Sequence, residues 1–85
     1  MTYSIIHQPE QQQFVYGPAH INYQINVERQ QVDFYHTYVP DSLRGQGIAA
    51  LLTKAALAWA HQEQLTIHAS CSYVAQYLAK HAAKS

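Results

Sequence analysis

Two hydrophobic periods divide this chain. Residues 20–27 alternate strictly, with Ile21, Tyr23, Ile25 and Val27 on one side and His20, Asn22, Gln24 and Asn26 on the other. A repeat of two over eight residues is the pattern of a half-buried strand. Residues 3–7 and 13–16 form shorter β-rich runs, separated by turn chemistry around Pro9 and closed by Gly17-Pro18. Residues 32–39 make a fourth strand, rich in aromatic and β-branched side chains, which Pro40 stops because proline cannot donate to a ladder. The period then changes. Ile48, Leu51, Leu52, Ala55, Ala56 and Trp59 recur as one stripe of an amphipathic helix. Residues 65–69 are apolar enough for a fifth strand, and Val74, Tyr77, Leu78 and His81 give a second helical stripe. The predicted order is β-β-β-β-α-β-α, an α+β fold with helices covering one face of a mostly antiparallel sheet.

Eighty-five residues are expected to form one domain, residues 1–85. Charged residues are 12% of the chain and apolar ones 48%, which suits a globule rather than a disordered segment. Five Lys+Arg balance five Asp+Glu, so no long-range field steers the protein onto nucleic acid or anionic lipid. An anion site must therefore be local. Cys71 is the only cysteine, which excludes an internal disulfide. The N-terminus has no signal-peptide pattern, and the apolar stretch of residues 48–60 is interrupted by Thr53 and Lys54 and too short to cross a bilayer. The expectation is a soluble, cytoplasmic protein. His68 and Cys71 have ligand spacing, but no second pair does, so no metal site is expected.

Between Pro40 and the first helix lies DSLRGQG. A glycine-rich turn opening into a helix presents unpaired amides and a partial positive charge, which together hold an anion. The same two glycines can serve only to shape a tight loop. The turn is not a Walker A loop, because no Gly-Lys-Ser/Thr follows, and Ala50 stands where G-x-G-x-x-G has its third glycine.

Arg44-Gly45-Gln46-Gly47-Ile48-Ala49 resembles the R-x-x-G-x-[G/A] turn of the GNAT superfamily of acetyl-coenzyme A-dependent acetyltransferases. The longer stretch HTYVPDSLRGQGIAALLTKAALAWA, followed by CSYVAQYLAKH, is similar to a short GNAT-like subgroup that is little more than the coenzyme-binding core. The resemblance spans residues 34–81 and implies acetyl-CoA as cosubstrate. It implies a diphosphate on the amides of Arg44, Gly45, Gln46, Gly47, Ile48 and Ala49. It further implies a pantetheine arm paired with Tyr38 and Val39, where strands four and five splay apart.

Acyl transfer to an amine requires a deprotonated amine, stabilisation of the carbonyl oxygen and a proton for the leaving thiolate. Cys71 stands between a strand and a helix, where the helix dipole lowers a thiol pKa, and is either an acyl acceptor, a thiol beside the thioester, or a small buried hydrophobe. His36 falls on the Val32–Phe34 side by strict alternation and is a candidate base, or else a hydrogen-bonded sheet histidine. Tyr73 and Tyr77 lie near the last helix, where the resemblance implies a tyrosine that protonates the thiolate; Tyr77 also shares the packing stripe of Val74 and Leu78. Lys80, His81 and Lys84 are either contacts for the coenzyme's outer phosphate or a solvated helix end. The subgroup has His-Thr-Glu-Val-Pro where this chain has Tyr38, so a natural carboxylate base is missing. The implied function is N-acetyl transfer to an amine of a small molecule, peptide or protein; the alternative is a non-catalytic or partner-dependent coenzyme-binding module. No nucleic-acid or membrane partner is expected, and the protein is expected to be a monomer or weak homodimer.

Overall fold

The computed structural model describes residues 3–82. Strands β1 (Ile5–Gln8), β2 (Gln13–Tyr16), β3 (Ala19–Asn26) and β4 (Gln31–Tyr38) are followed by a 3-10 turn (Asp41–Leu43), helix α1 (Ile48–Gln62), strand β5 (Thr66–Ala69) and helix α2 (Ser72–Ala82). The 3-10 turn apart, this is the order the hydrophobic periods predict. The sheet order is β1-β2-β3-β4-β5; every neighbouring pair is antiparallel except β4 and β5, which run parallel because α1 carries the chain back between them. Gly17 opens the two-residue β2–β3 hairpin at φ 57°, a conformation that glycine adopts without strain.

Two irregularities in β4 shape the site. The first is a bulge. Asn22 pairs with His36, but the next residue, Tyr23, pairs with Phe34, leaving Tyr35 as an extra residue on β4. An extra residue reverses the alternation beyond it. Val32 and Phe34 are buried under the helices, whereas past the bulge it is Thr37, opposite buried Ile21, that shares their face. His36 and Tyr38 turn to the uncovered face, each beside the His20 ring with centroids 5.6 and 5.5 Å away. This corrects the expectation that His36 lies on the Val32–Phe34 side. The second irregularity is a half-length ladder. β5 pairs only with Gln31–Phe34, and the last link is the Cys71 amide donating to the Phe34 carbonyl at 3.0 Å. From Tyr35 onward β4 has no strand on that side, so the predicted splay is present.

The core lies between one sheet face and the two helices. Phe14, Ile21, Tyr23, Val32 and Phe34 from the sheet meet Ile48, Leu52, Ala56 and Leu57 of α1 and Val74 of α2. The α1 stripe is rotated from the predicted one. Leu57 and Ala60 are buried, while Leu51 is 43% exposed. Apolar residues nearly encircle this helix, so periodicity alone leaves its phase underdetermined along the shared Ile48-Leu52-Ala56 line. Thr53 is buried without penalty because its hydroxyl donates to the Ala49 carbonyl at 2.8 Å. Val27, predicted to continue the β3 stripe, instead lies in the β3–β4 turn and is 74% exposed.

These placements set opposite outcomes for two apolar residues. Phe34→Ala should lower unfolding free energy by about 3–5 kcal/mol through the cavity it leaves, whereas Val27→Thr should stay within about 0.5 kcal/mol of the parent. Urea denaturation of both variants measures the difference.

Candidate functional site

The turn before α1 is built by two left-handed glycines. Gly45 has φ 83° and Gly47, the N-cap residue, has φ 72° and ψ 22°. A Cβ on either would meet nothing within 4 Å, so dihedral strain rather than crowding requires glycine here. No side chain caps the helix. The amide of Leu51 makes the first helical bond, to the Gly47 carbonyl at 3.0 Å. The amides of Ile48, Ala49 and Ala50 therefore have no acceptor within the helix. Arg44 braces the turn from outside: its Nε donates to the Val39 carbonyl at 3.2 Å and Nη1 pairs with Asp41 Oδ1 at 3.0 Å.

A cavity of about 370 Å3 opens beside these amides. Of the sequence-predicted ligand residues, Val39, Arg44, Gly45, Gly47, Ile48 and Ala49 line it. Tyr38 and Gln46 do not: the bulge turns Tyr38 outward, and the Gln46 side chain points to the Ser42 carbonyl at 3.5 Å. Thr37, Leu43, Ala50 and Tyr73 complete the lining. Thr37 was beyond the reach of sequence reading, since its facing depends on the bulge. Tyr73 carries a local signal, two residues after the cysteine and at the start of a helix.

Cys71 caps α2. Its carbonyl accepts the first helical bond, from the Ala75 amide at 3.0 Å, and the Thr37 hydroxyl lies 3.6 Å from its Sγ. Burial pushes the thiol pKa up, but hydrogen bonds from the Val74 amide, the Thr37 hydroxyl and the Tyr73 and Thr37 amides outweigh it, and the net shift is downward. A sulfur at an N-cap does what a capping oxygen does, and it does so better as the thiolate. The preceding residue is clipped to β4: Asp33 accepts from the Ser70 amide at 2.9 Å and the Ser70 hydroxyl at 2.8 Å. That clip and the Phe34 link fix the entry of the chain into the cap.

The tyrosines differ. Tyr73 lines the cavity beside the glycine turn, and burial together with the neighbouring Tyr77 raises its pKa. Tyr77 is half-buried against the core, stacks on His81 at 4.1 Å, and does not line that cavity. Thr37, Cys71 and Tyr73 are thus brought together; Tyr77 lies one helical turn beyond Tyr73, and His36 is on the other face of the sheet. Lys84 lies outside the described residues. Among the described residues no group of three or more His, Cys, Asp or Glu is placed to hold a metal, and no helix is long and apolar enough to cross a membrane.

The family model described as GCN5-related N-acetyl-transferase matches residues 10–85. Protein NATD1 of Xenopus tropicalis is 44% identical over 52 residues, a match covering 61% of this chain and 48% of that protein. Protein NATD1 of Gallus gallus and of Homo sapiens are each 46% identical over 52 residues, covering 61% of this chain and 47% and 46% of their own lengths. The matched segment spans about half the length of these curated relatives.

The capping geometry makes a pH prediction. A lowered pKa means that the thiolate persists to lower pH, so the alkylation rate of Cys71 should reach half-maximum below the pH found for an unstructured cysteine. Thr37→Val removes a donor to the thiolate and should move that midpoint upward. Rates of iodoacetamide labelling across pH measure both; coincident midpoints would contradict the cap.

Proposed function

Because this chain belongs to the GCN5-related N-acetyltransferase family, we propose that it binds acetyl-CoA and moves the acetyl group to an amine, as one minimal domain. One observation carries the proposal. Unpartnered amides at a left-handed glycine turn open onto a cavity that runs past the unpaired half of β4, with Thr37, the Cys71 partner, in its lining.

The chemistry of the turn fits the coenzyme. The amides of Ile48, Ala49 and Ala50 supply donors for a diphosphate, and the open space over Gly45 and Gly47 lets it approach. Residues 35–38 have no partner strand on the β5 side of β4, and that edge offers pairing to the amides of a pantetheine arm. Bound acetyl-CoA supplies an activated carbonyl at its thioester. The amine nitrogen attacks that carbon, the C–S bond breaks, and the departing thiolate takes up a proton. Tyr73 suits the donor role better than Tyr77, since it lines the cavity and is kept protonated. Cys71 either stands beside the thioester or receives the acetyl group on Sγ before the amine does. His36 serves as a base only for an amine arriving from the uncovered sheet face. A cytoplasmic, reducing setting accompanies this reading, as does a monomer or weak homodimer with a small-molecule, peptide or protein amine as acceptor and no nucleic acid or membrane.

A second reading, a coenzyme-binding module that is non-catalytic or needs a partner, has one observation in its favour. The position where a carboxylate base is expected holds Tyr38, whose ring faces away from the cavity beside His20.

Acetyl-CoA at a hundred times its Kd should stabilise the protein by about 2.7 kcal/mol, a rise in Tm on the order of 10 °C for a chain of this size. Gly47→Glu, checked for folding by far-UV circular dichroism, should show no rise, because a like charge then occupies the diphosphate seat. Turnover with an amine panel separates the two readings. Within the first, Cys71→Ser should lose at least a hundredfold in rate if Sγ carries the acetyl group, and transfer at the parent rate refutes that route.

A further inference from the structure

The uncovered face of the sheet brings together two histidines that spacing along the chain leaves scattered. His20 of β3 and His36 of β4 have ring centroids 5.6 Å apart, with the rings tilted at 45°. The register makes them diagonal neighbours, since His20 pairs with Tyr38 and Asn22 with His36. Without the bulge at Tyr35, alternation would send His36 to the other face. A row of amides fixes the tautomer of His20. Gln13 Nε2 donates to Gln8 Oε1 at 2.6 Å, and Asn22 Nδ2 donates to Gln13 Oε1 at 3.1 Å. Asn22 therefore turns its oxygen to His20, and an amide oxygen only accepts. His20 Nδ1, 2.8 Å away, must carry the proton, which leaves the lone pair of the neutral ring on Nε2. The row ends there and does not take in His36.

We propose that His20 and His36 together chelate a late first-row divalent metal ion such as nickel(II) or copper(II), at a site independent of the coenzyme reading. Imidazole nitrogens suit these ions. A histidine that binds metal through one ring nitrogen usually donates from the other to a carbonyl or carboxylate oxygen, which is what Asn22 provides for His20. The separation also fits. With metal–nitrogen bonds of about 2.0–2.1 Å and the ion in both ring planes, two imidazole centroids stand about 4.5 Å apart at a right angle and about 6.3 Å apart when opposed. The observed 5.6 Å lies between these limits. Tyr38, across the strand pair with its centroid 5.5 Å from that of His20, hinders rotation of the half-buried His20 ring. His36 is exposed, so water completes the coordination. Two water ligands of the incoming ion exchange for the two ring nitrogens, and no bond within the protein breaks. The ion then cross-links β3 to the part of β4 that has no β5 partner. The competing explanation is that the pair only extends the polar surface of this face, which gives the two rings no joint affinity for a metal.

Calorimetry with nickel(II) and with magnesium, in chelator-free buffer, tests the site on the parent, His20→Gln, His36→Gln and Asn22→Ala. Far-UV circular dichroism checks that each variant is folded. The parent should bind nickel and give no heat with magnesium, a hard cation that takes oxygen ligands. Either histidine variant should bind nickel at least about tenfold more weakly, because each ring raises the effective concentration of the other. Asn22→Ala should also weaken binding by about tenfold, the scale of losing a partner that orients a metal ligand. Absence of nickel binding to the parent overturns the proposal. So does parent-like affinity in both histidine variants, since the ion then sits at another of the six histidines or at Cys71. A loss confined to one histidine variant overturns the chelate, and parent-like affinity in Asn22→Ala overturns the orientation of His20 on which it rests.

Discussion

The geometry of this protein depends on where the ladder between β4 and β5 stops. Parallel pairing covers Gln31–Phe34 and ends at the Cys71–Phe34 link. Had it continued, β5 would have filled the side of residues 35–38 and the sheet would have had no opening. The stop coincides with the bulge at Tyr35, which increases local twist and reverses the facing of the residues beyond it. One extra residue therefore sends Thr37 inward and His36 and Tyr38 outward at the point where the strands separate. Backbone left unpaired there is an edge in the middle of a sheet, a feature that proteins keep only where something covers it.

Two helices begin at this opening. The first turn of α1 borders the cavity with Ile48, Ala49 and Ala50, and α2, capped by Cys71, adds Tyr73 to the lining. Helix N-termini carry partial positive charge with no ionised side chain, so a chain of zero formal charge still presents anion-binding donors. The charge that does stand at the turn, on Arg44, is engaged with Asp41 and the Val39 carbonyl, which makes it a brace for the loop. At the second terminus the cap is a sulfur. The donors that stabilise the helix start also favour the thiolate, so folding and thiol reactivity at Cys71 are one interaction.

Among the described residues, the sheet face away from the helices is largely polar. The uncovered face carries a chain of polar contacts across three strands: Gln13 donates to Gln8 at 2.6 Å, Asn22 to Gln13 at 3.1 Å, and His20 lies 2.8 Å from Asn22. These groups satisfy one another in water and need no cover. On the covered face His7 is packed between Phe14 and Trp59 and shares a 2.6 Å hydrogen bond with the Tyr23 hydroxyl; burial lowers its pKa despite the opposing charge of Glu63. That cluster ties the edge strand β1 to α1.

What was legible in the residues was the set of elements and the glycine turn. Period two marks β3, a period near 3.6 marks the helices, and glycine suits the two left-handed positions that lead into α1, so the sequence by itself determined the order of elements and the turn at Gly45 and Gly47. Facing was another matter. Strict alternation put His36 inward and made Val27 part of a stripe, because a sequence pattern carries no record of an inserted residue or of where a ladder ends. The helix phase of α1 was likewise open, with apolar residues on nearly every side and only the sheet to choose among them. Tertiary structure alone decided that Thr37 and Tyr73, rather than His36 and Tyr77, share the cavity beside Cys71. The physical reason is that a register is set jointly with the partner strand, β3 for the bulge and β5 for the end of the ladder, and is not written in one strand's own pattern.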